Sequence, residues 1–540
     1  MASSFILNRR RLLGGAAAVA AGGLLLDGCG SDRKKNNNTV NTKVKLPSYH
    51  PYAAIKPDLP GDPKVGVQDG YLHFPSHLVR GIKDKPGRGG SVSALVITYT
   101  NPPPPVGRNK YWQELNNRLG SELKLQIVPF EDYVSKVATT VAGGDLPDYL
   151  QIYGSVPQLP SLLAAKCQDL TEFLSGDAAA DYPFLANIPA DYWRSCIYNG
   201  GIYGLPISRS KMGSMLFQRT DLIKGVNADP APSSFAEFAE LCKEATDLKH
   251  NRWALASAPT SFVQQMLGAS PGWRNDGGKL TNINEEPETK EALAATAKLV
   301  KAGYVHPDSF AQNNTTTLKE WFNAGNAVMH YDGATAWPGF YQQNVVGAAL
   351  RINGVIPANY DSNTKAVTWQ GGLDYSFTAI KKSSKDRVEE LLRIANYLAS
   401  PLGTEENLFL GNGIKGRDFT FQHGLPTKTD TGTAEVALST GYIAQGPFVL
   451  SGQYTQATKD CYEFEKKFLP LSQADPTQGL YSDTSSSKSA TLGDALRDAQ
   501  YAILQGRKPV SSWDEAVRDW RNNGGDTIRK EFEEALQRKG

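Results

Sequence analysis

Strand-like and helix-like segments alternate along the chain between residues 93 and 153. Short apolar or alternating runs of the kind that form strands stand at 93–99, 123–128 and 149–153, and apolar residues at helical spacing fill 108–119 and 131–142. Parallel strands need a crossover connection, which is usually a helix. The order strand, helix, strand, helix, strand therefore predicts a parallel sheet covered by helices, which is an α/β fold.

The rest of the chain continues the same mixture of elements. Helices are predicted at 234–247, 289–302 and 384–400, a strand at 327–331, and helices again at 489–504 and 512–538. Ser384 can cap the helix that it begins, and Pro401 ends that helix. The chain has 540 residues, which is too many for one hydrophobic core, so we expect two large lobes.

The first 28 residues have the pattern of an export signal. Arginines at 9–11 precede an uncharged run, 12–26, that is shorter than the ~20 apolar residues of a membrane-spanning helix. This order is typical of a secretory signal peptide. The stretch 8–13, NRRRLL, also fits the twin-arginine pattern, which predicts export in a folded state, with the ordinary secretory route as the alternative.

A cysteine follows the apolar run at a position that suits lipid attachment. Leu26-Asp27-Gly28-Cys29 resembles a bacterial lipobox, in which the cysteine is acylated and becomes the mature N-terminus; Asp27 is unusual there, and an accidental cysteine is the alternative. Two or more acyl chains anchor a protein stably, so a palmitoylated diacylglyceryl group on Cys29 would hold the chain on a membrane. Polar residues 30–42 predict a flexible tether, and 43–90 predict an extended arm.

Composition narrows the classes of partner and cofactor. Apolar residues make up 40% and charged residues 21% of the chain, which is ordinary for a globular protein, and the net charge of +2 implies neither a nucleic-acid nor a polyanionic partner. No metal or cofactor motif is present, so no cofactor is expected, while the sequence leaves open whether a structural metal is bound. Cys167, Cys196, Cys242 and Cys461 could form disulfides after export, although free buried thiols are the preferred interpretation.

Several short motifs occur in a fixed order along the chain. The first, VAGGDLPD at 141–148, has glycines that suit a helix C-terminus and a proline that stops the helix. The others are NGGIYGLP at 199–206, RTDL at 219–222, FNAGNAVM at 322–329 and GNGIKGRDF at 411–419. Together they resemble the ordered motifs of the extracellular solute-binding proteins of family 1, and the last is similar to a segment of their lipoprotein, aldouronate-type branch.

The resemblance implies a fold and a function. Such proteins have a two-lobed, periplasmic-binding-protein-like fold of type II, in which two α/β lobes joined by a hinge close on a ligand in the cleft between them. On that layout 91–207 and 366–430 form lobe 1, and 208–365 and 431–540 form lobe 2. The implied function is that of an extracellular, lipid-anchored, monomeric binding protein, not an enzyme. It would capture a carbohydrate, such as an oligosaccharide with or without uronate, for the permease subunits of an ABC transporter.

Candidate ligand-binding residues are aromatic and polar side chains that follow strands. Aromatic faces stack on the C–H faces of a sugar, and polar groups bond its hydroxyls, at the carboxyl ends of the strands. The resemblance implies Trp337 as a sugar-stacking residue and Asp332 as its polar neighbour. The residues themselves suggest Tyr99, Asn101, Tyr153, Trp369, Asp374, Tyr375, Trp273 and Arg209, the last as a partner for a uronate carboxylate; packing or a surface ion pair is the alternative for each.

Two other functions stay open from the sequence. A secreted glycoside hydrolase would need two facing carboxylates, which a linear sequence cannot reveal, but no GxSxG, HExxH or P-loop motif is present. A surface lipoprotein could also bind carbohydrate without serving a transporter. Release of reducing ends would identify the hydrolase, and the lack of ligand-induced lobe closure would identify the non-transport lipoprotein.

Overall fold

The computed structural model describes residues 41–52, 55–62, 64–154, 156–311, 315–342, 350–372, 374–451 and 455–539. The predicted signal peptide, Cys29 and the tether up to residue 40 lie outside these ranges. Two open sheets organise the described chain. Lobe 1 denotes the first sheet with its covering helices, and lobe 2 denotes the second sheet with its own. Strands of both sheets are numbered together along the chain.

The sheet of lobe 1 has five strands. They are β1 (Ser91–Thr98), β2 (Glu122–Pro129), β3 (Tyr149–Ile152), β4 (Leu205–Ser208) and β9 (Asp374–Ile380), in the spatial order β2, β1, β3, β9, β4. β1 runs parallel to β2 and β3, whereas β9 runs antiparallel to β3 and β4. The parallel set predicted between residues 93 and 153 is confirmed, and a strand from much later in the chain enters between β3 and β4.

The sheet of lobe 2 has four strands. They are β5 (Ser214–Arg219), β6 (Trp253–Leu255), β7 (Ala327–Gly333) and β8 (Ile352–Val355), in the spatial order β8, β5, β7, β6. β5 runs antiparallel to both of its neighbours, and β6 runs parallel to β7. The strand predicted at 327–331 is β7, which continues two residues further to Gly333.

Helices cover the sheets and extend lobe 2. Those of six residues or more in the described ranges are α1 (Lys110–Leu119), α2 (Phe130–Gly143), α3 (Leu159–Lys166), α4 (Phe235–Ala245), α5 (Thr260–Leu267), α6 (Pro287–Lys301), α7 (Thr315–Ala324), α8 (Trp337–Gln342), α9 (Lys385–Leu398), α10 (Glu405–Asn412), α11 (Asp430–Glu435), α12 (Thr455–Phe468), α13 (Asp483–Leu504), α14 (Trp513–Trp520) and α15 (Asp526–Lys539). Ser384 occupies the N-cap position of α9, as predicted, but its hydroxyl makes no capping bond.

The VAGGDLPD motif ends one element and fixes the next. α2 ends at Gly143, and Gly144 takes the left-handed conformation, with φ 75°, and donates its N–H to the Val141 oxygen at 3.1 Å. Asp148 precedes β3, and its Oδ2 accepts bonds from Ser93 N at 2.8 Å and Ser93 Oγ at 3.0 Å. The motif therefore locks the start of β1 to the start of β3.

The central strand β1 is buried on both faces, which its unbroken apolar run predicts. Val92, Ala94 and Val96 belong to a core that includes residues of α1 and α9. Leu95 and Ile97 point to the opposite face, into a core that includes residues of α2 and α3. Burial of the sheet on both sides leaves its strand ends as the places where its residues can meet a ligand.

The arm, residues 41–90, packs on both lobes in turn. Val44 and Tyr52 pack against a core of lobe 1. Val67 is buried in a core of lobe 2 that includes residues of α12. Ile82 packs again on lobe 1. The arm therefore runs from lobe 1 to lobe 2 and back before β1 begins.

Two further connections between the lobes pair with each other. One joins β4 to β5, and the other joins β8 to β9. Gly213 N donates to the Trp369 oxygen at 3.1 Å, and Gly371 N donates to the Lys211 oxygen at 3.0 Å. These bonds hold the two connections side by side between the sheets, where a hinge of the implied fold would lie.

The chain also passes from lobe 1 to lobe 2 after α11. Leu438 and Ile443 are fully buried in the core of lobe 1 that lies on α1 and α9. α12 follows and packs its Phe464 and Phe468 into the core of lobe 2. Lobe 1 therefore includes residues beyond 430, the end implied by the resemblance.

The described residues were predicted to have free cysteines, and they can also be compared with the requirements of a membrane span and a metal site. Cys167, Cys196, Cys242 and Cys461 are all free and buried, which agrees with the preferred interpretation. None of the described helices combines the length and the apolar character that crossing a bilayer requires. Within the same ranges, no group of three or more His, Cys, Asp and Glu side chains is placed to hold a metal ion.

Candidate ligand-binding site

Five of the predicted residues meet at one edge of the lobe 1 sheet. Tyr99 follows β1, Tyr153 follows β3 and Arg209 follows β4. Asp374 and Tyr375 begin β9, which runs the other way, so that Asp374 lies opposite the last residue of β4. The carboxyl ends of three strands and the amino end of the fourth thus share one edge, which is where open α/β sheets bind ligands.

The aromatic rings at this edge form two stacked pairs. Tyr153 stacks on Tyr375 with centroids 4.8 Å apart and planes at 25°, and Tyr99 stacks on Phe130 at 5.0 Å and 29°. The pairs touch edge to face, at 6.3 Å between Tyr99 and Tyr375 and 5.8 Å between Phe130 and Tyr153. The hydroxyls of Tyr99 and Tyr375 share a hydrogen bond. With Tyr442, whose centroid is 5.5 Å from that of Tyr375, these rings are the aromatic cluster.

Arg209 lies on the aromatic cluster with its guanidinium over ring faces. The guanidinium carbon is 4.5 Å from the centroid of Tyr375 and 5.9 Å from that of Tyr442. Arg209 Nη1 donates to the Ser208 oxygen at 3.1 Å, and the Arg209 oxygen accepts a bond from Tyr192 Oη at 2.9 Å. No carboxylate of the described residues lies within 4 Å of this guanidinium. It therefore keeps donors for an anionic partner.

Asp374 lies beside Arg209 in a largely buried position. Burial raises the pKa of its carboxyl to about 6, against the lowering effects of a bond from Ser195 and of the Arg209 charge. Burial also raises the phenol pKa values of Tyr99 and Tyr375, so both hydroxyls stay neutral at physiological pH. The site thus offers neutral hydroxyls, one cation, and a carboxyl that titrates between its ordinary range and neutrality.

Asp332 lies near the end of β7, and its carboxylate contacts other residues of lobe 2. Its Oδ2 is 3.1 Å from Lys319 Nζ and 3.4 Å from His330 Nε2, and its Oδ1 accepts a bond from Gly333 N at 2.8 Å. Burial raises the pKa of Asp332, but His330 and Lys319 outweigh burial, and the net pKa is lowered. An ionised Asp332 held in this way supports the fold of lobe 2, and its contact with a ligand stays a prediction.

Trp337 is the first residue of α8 and is buried in the core of lobe 2. Only 1% of its surface is exposed. Its ring centroid lies 5.5 Å from that of Phe217, in a T-shaped contact, and 5.8 Å from that of Phe464. Its Nε1 is buried without a hydrogen-bond partner in the described residues. The packing alternative thus describes Trp337 in this conformation, and its stacking on a sugar remains a prediction.

The other three predicted residues lie apart from the aromatic cluster. Trp369 is half-buried on the connection between β8 and β9, where its Nε1 donates to the Ala269 oxygen at 2.9 Å. Trp273 is buried against the C-terminal helices, with ring centroids 6.2 Å from Trp520 and 5.9 Å from Phe532. Asn101 is exposed on the loop after β1. Trp273 therefore joins α14 and α15 to the body of lobe 2.

Sequence reasoning missed two rings of the aromatic cluster. Phe130 directly follows β2, so the rule that selected Tyr99 and Tyr153 would have selected it as well. Tyr442 follows no strand and lies in a short turn, Thr440–Tyr442, that only tertiary structure brings to Tyr375. The sequence carries no local signal for that position.

The chemistry of this edge suits an uncharged or anionic ligand with apolar faces. Stacked aromatic rings accept C–H faces, phenol hydroxyls both donate and accept hydrogen bonds, and a guanidinium pairs with a carboxylate through two parallel bonds. More than half of the Tyr99 side chain, 55%, is exposed, as is 37% of Phe130. The aromatic cluster is therefore open to solvent on the side of Tyr99 and Phe130.

Known proteins resemble this chain along most of its length. A family model described as bacterial extracellular solute-binding protein matches residues 110–409. The polygalacturonan/rhamnogalacturonan-binding protein YtcQ of Bacillus subtilis is 24% identical over 470 residues, which cover 83% of this chain and 91% of that protein. The lipoprotein LipO of the same organism is 22% identical over 482 residues, which cover 82% of this chain and 92% of that protein.

A solved structure gives the same picture of the fold. An HMO binding, ABC-transporter associated solute binding protein from Bifidobacterium longum infantis superposes with a TM-score of 0.62, at 13% identity, over 84% of this chain and 99% of its own. The two-lobed α/β fold predicted from the sequence is thereby confirmed. Since the family model covers more than half of the 540 residues, the chain belongs to the bacterial extracellular solute-binding protein family.

Proposed function

We propose that this protein is the extracellular, lipid-anchored substrate-binding component of an ABC transporter and that it captures a uronate-containing oligosaccharide for the permease subunits. The single observation that carries the proposal is the Arg209 guanidinium lying on Tyr375, which itself stacks on Tyr153. Rings for sugar faces and a cation for a sugar carboxylate stand side by side at the ligand-binding edge of the sheet.

The aromatic cluster supports a carbohydrate ligand. The C–H faces of a pyranose are apolar, and the electron-rich faces of Tyr and Phe attract their partly positive hydrogens. The hydroxyls of Tyr99 and Tyr375 lie between the rings and can exchange their shared bond for bonds to a sugar hydroxyl. A ligand that only needed apolar contact would not call for hydroxyls at the centre of the cluster.

Arg209 supports a carboxylate on that carbohydrate. Its contacts with two rings restrict the guanidinium, which reduces the entropy lost when it binds a planar anion in a bidentate manner. Lysine could not do the same, because an ammonium group is a point charge. The relatives fit this chemistry, since polygalacturonan is the polymer named for YtcQ. We infer that a uronate sugar places its carboxylate at Arg209 and its ring on the aromatic cluster.

Contacts between the lobes support capture by closure. Ser486 Oγ, in the first turns of α13, donates to the Val156 oxygen of lobe 1 at 2.7 Å. The ring centroid of Tyr481, just before α13, lies 6.2 Å from that of Tyr198, which itself packs on Phe377 of β9. A ligand that touches both lobes stabilises such a closed arrangement, and a permease can then distinguish loaded from empty protein.

The leader supports the outer face of the cell membrane as the location. Its arginines and short apolar run suit export, and Cys29 suits acylation. LipO, the second relative, is named as a lipoprotein. The proposed anchor keeps the binding protein close to the permease that it serves, and we expect the protein to act as a monomer.

Isothermal titration calorimetry with trigalacturonate and maltotriose tests the proposal. We expect trigalacturonate to bind at least tenfold more tightly, because only it presents carboxylates to Arg209. Equal affinities would remove the uronate from the proposal, and a thermal-shift panel of plant and microbial oligosaccharides without a stabilising member would remove the carbohydrate. Release of new reducing ends during incubation would instead identify a hydrolase.

X-ray scattering tests the transport part of the same proposal. The radius of gyration should fall when the oligosaccharide that calorimetry identifies is added, since the lobes close around it. Binding without any change in the radius would point to the non-transport surface lipoprotein.

A further inference from the structure

Glu465 is a fully buried carboxyl at the junction of the arm, α12 and the connection between β4 and β5. Its Oε1 accepts a bond from Ser210 Oγ at 3.1 Å, and its Oε2 accepts a bond from Gln68 N at 3.0 Å. Gln68 lies in the part of the arm that packs on lobe 2, and Ser210 lies in the connection that enters lobe 2. One side chain thus ties three segments that are far apart in sequence.

No cation balances this buried carboxyl in the described chain. No lysine, arginine or histidine nitrogen there lies within 4 Å of its oxygens. The titratable groups that its charge reaches are the Tyr192 phenol, from the turn Ala190–Cys196, and the Cys461 thiol, one turn earlier on α12. On the connection, Ser210 lies between Arg209 and Lys211 in sequence, and on the arm Gln68 is followed by Asp69. An ionised Glu465 would therefore be stabilised by its two hydrogen bonds alone.

The residue that Glu465 holds is the next one after Arg209. Ser210 Oγ, which donates to Glu465, also accepts a bond from Met212 N at 3.1 Å, so it shapes the turn of the connection. On the other side of Arg209, the Ser208 oxygen accepts a bond from Gln445 Nε2 at 2.6 Å. The Arg209 backbone is thus fixed from both sides, and the lobe 2 side depends on Glu465.

We propose that Glu465 is a positioning residue for ligand capture: its buried carboxyl holds Ser210, and through it Arg209 and the connection between the lobes, in the conformation in which the binding site is assembled. The inference rests on the proposed function for its binding measurement, and it adds that ligand capture is coupled to the uptake of a proton by Glu465. Opening of the connection would expose Glu465 to water, whereas the assembled conformation buries it.

Proton uptake near neutral pH is expected because Glu465 is buried. Burial raises its pKa to about 7, although the bonds from Gln68 and Ser210 lower it. A carboxyl whose pKa is raised in one conformation favours that conformation at low pH, and this contribution is lost as the pH rises through the raised value. The assembled conformation should therefore take up a proton near neutrality, and ligand affinity should fall between pH 6 and pH 8.5.

Glu465→Gln imitates the protonated carboxyl. The amide oxygen can still accept from Gln68 N, and the amide nitrogen can donate to Ser210 Oγ, as the O–H of a neutral carboxyl would. The substitution removes the titration without removing the connection. Glu463→Gln is the matched control, because Glu463 lies on the same helix and is exposed, with 58% of its side chain in solvent.

The experiment measures two pH profiles of the purified protein, from pH 6 to pH 8.5. The first is the radius of gyration without ligand, which should rise with a midpoint near pH 7. The second is the affinity for trigalacturonate, whose carboxylates stay ionised in this range; it should weaken by up to about tenfold. Calorimetry in buffers of different ionisation enthalpy should record net uptake of protons on ligand binding near pH 7.

We expect Glu465→Gln to flatten the profile of the ligand-free radius and to remove the part of the affinity change and of the proton uptake that is centred near pH 7, and Glu463→Gln to behave like the natural protein. Identical profiles for Glu465→Gln and the natural protein would overturn the inference. If trigalacturonate does not bind, the proposed function fails in its uronate part, while the ligand-free profile still decides the role of Glu465. A radius that is independent of pH in the natural protein also overturns it.

Ser210→Ala provides a second variant in case Glu465→Gln does not fold. Loss of the Ser210 hydroxyl removes a bond that favours the ionised form, so the midpoint of both profiles should move to higher pH. A midpoint that stays where the natural protein has it would show that Ser210 and Glu465 are not coupled, which contradicts the inference.

Discussion

The guanidinium carbon of Arg209 lies 4.5 Å from the centroid of the Tyr375 ring. This contact fixes a cation at the carboxyl edge of the lobe 1 sheet without neutralising it. Arg209→Lys should weaken trigalacturonate binding by roughly ten- to a hundredfold, because a hydrogen bond to a charged group contributes about 1.5–3 kcal/mol. Maltotriose binding should change much less, and calorimetry with both ligands measures the difference.

Arg108→Lys is the matched control for that substitution. Arg108 is exposed in the short turn before α1 and is not part of the aromatic cluster. Its substitution should leave both affinities unchanged. An equal loss of affinity for both trisaccharides in Arg209→Lys would show that Arg209 shapes the site and does not bind a carboxylate.

The stack of Tyr153 on Tyr375 should matter for any sugar, charged or neutral. Tyr153→Ala removes one ring face at 4.8 Å from its partner, and aromatic contacts of this kind contribute about 0.5–1.5 kcal/mol beyond the area that they bury. We expect affinity for every ligand to fall by at least severalfold, as seen by calorimetry. Tyr49→Ala, at an exposed position of the arm, should have no effect; an effect of equal size there would point to a general loss of folding.

Asp374 should make binding of an acidic ligand depend on pH near 6. Burial raises the pKa of the Asp374 carboxyl to about 6, so the carboxyl is mostly neutral below pH 6 and mostly ionised above it. The stability that the neutral carboxyl gives to the folded state is complete below the ordinary aspartate range and is lost as the pH rises through 6. Above that pH the ionised carboxyl partly cancels the Arg209 charge, and affinity for trigalacturonate should therefore rise severalfold on going from pH 7.5 to pH 5.5.

Asp374→Asn should remove the part of that rise whose midpoint lies near pH 6, and leave the part that depends on Glu465. Asp276→Asn, at an exposed hairpin position, should keep the natural profile. The midpoint near 6 separates this effect from that of Glu465, whose midpoint is expected near 7. If the component with its midpoint near pH 6 persists in Asp374→Asn, it belongs to another group.

Trp337→Ala should mainly lower the stability of the folded protein. With 1% of its surface exposed and contacts to Phe217 and Phe464, its truncation should lower the free energy of unfolding by about 3–5 kcal/mol. Urea denaturation measures this loss. If the stability is unchanged while sugar affinity collapses, Trp337 contacts the ligand, as the resemblance implied.

The sequence predicted the site best where a strand delivered the residue to the sheet edge. Tyr99 and Tyr153 end the strands predicted at 93–99 and 149–153, so the parallel order of β1 and β3 was enough to bring them together. Arg209 follows β4, a strand that was not predicted from the sequence. Tyr375 needed more, because β9 comes from much later in the chain and its place between β3 and β4 is decided by tertiary pairing. Tyr442 lies in a turn and could not be predicted at all.

Trp273 shows the limit of loop context as a signal. Its position among Gly, Asn and Asp suggests a ligand contact, with packing as the alternative. In the structure its ring is buried 5.9 Å from that of Phe532, a residue more than two hundred and fifty positions later. Polar neighbours in sequence reveal a turn, but the ring that the turn carries can still pack inward. Only the position of the C-terminal helices decides which of the two happens.

The first described residue of the arm is held on lobe 1 by a hydrogen bond. Asn41 Oδ1 accepts a bond from Gly200 N at 2.8 Å, which holds Asn41 on lobe 1. Twelve peptide steps separate the two positions (41 minus 29), and a chain of that length spans at most about 40 Å. If Cys29 is acylated, this length would keep Asn41 within about 40 Å of the lipid surface.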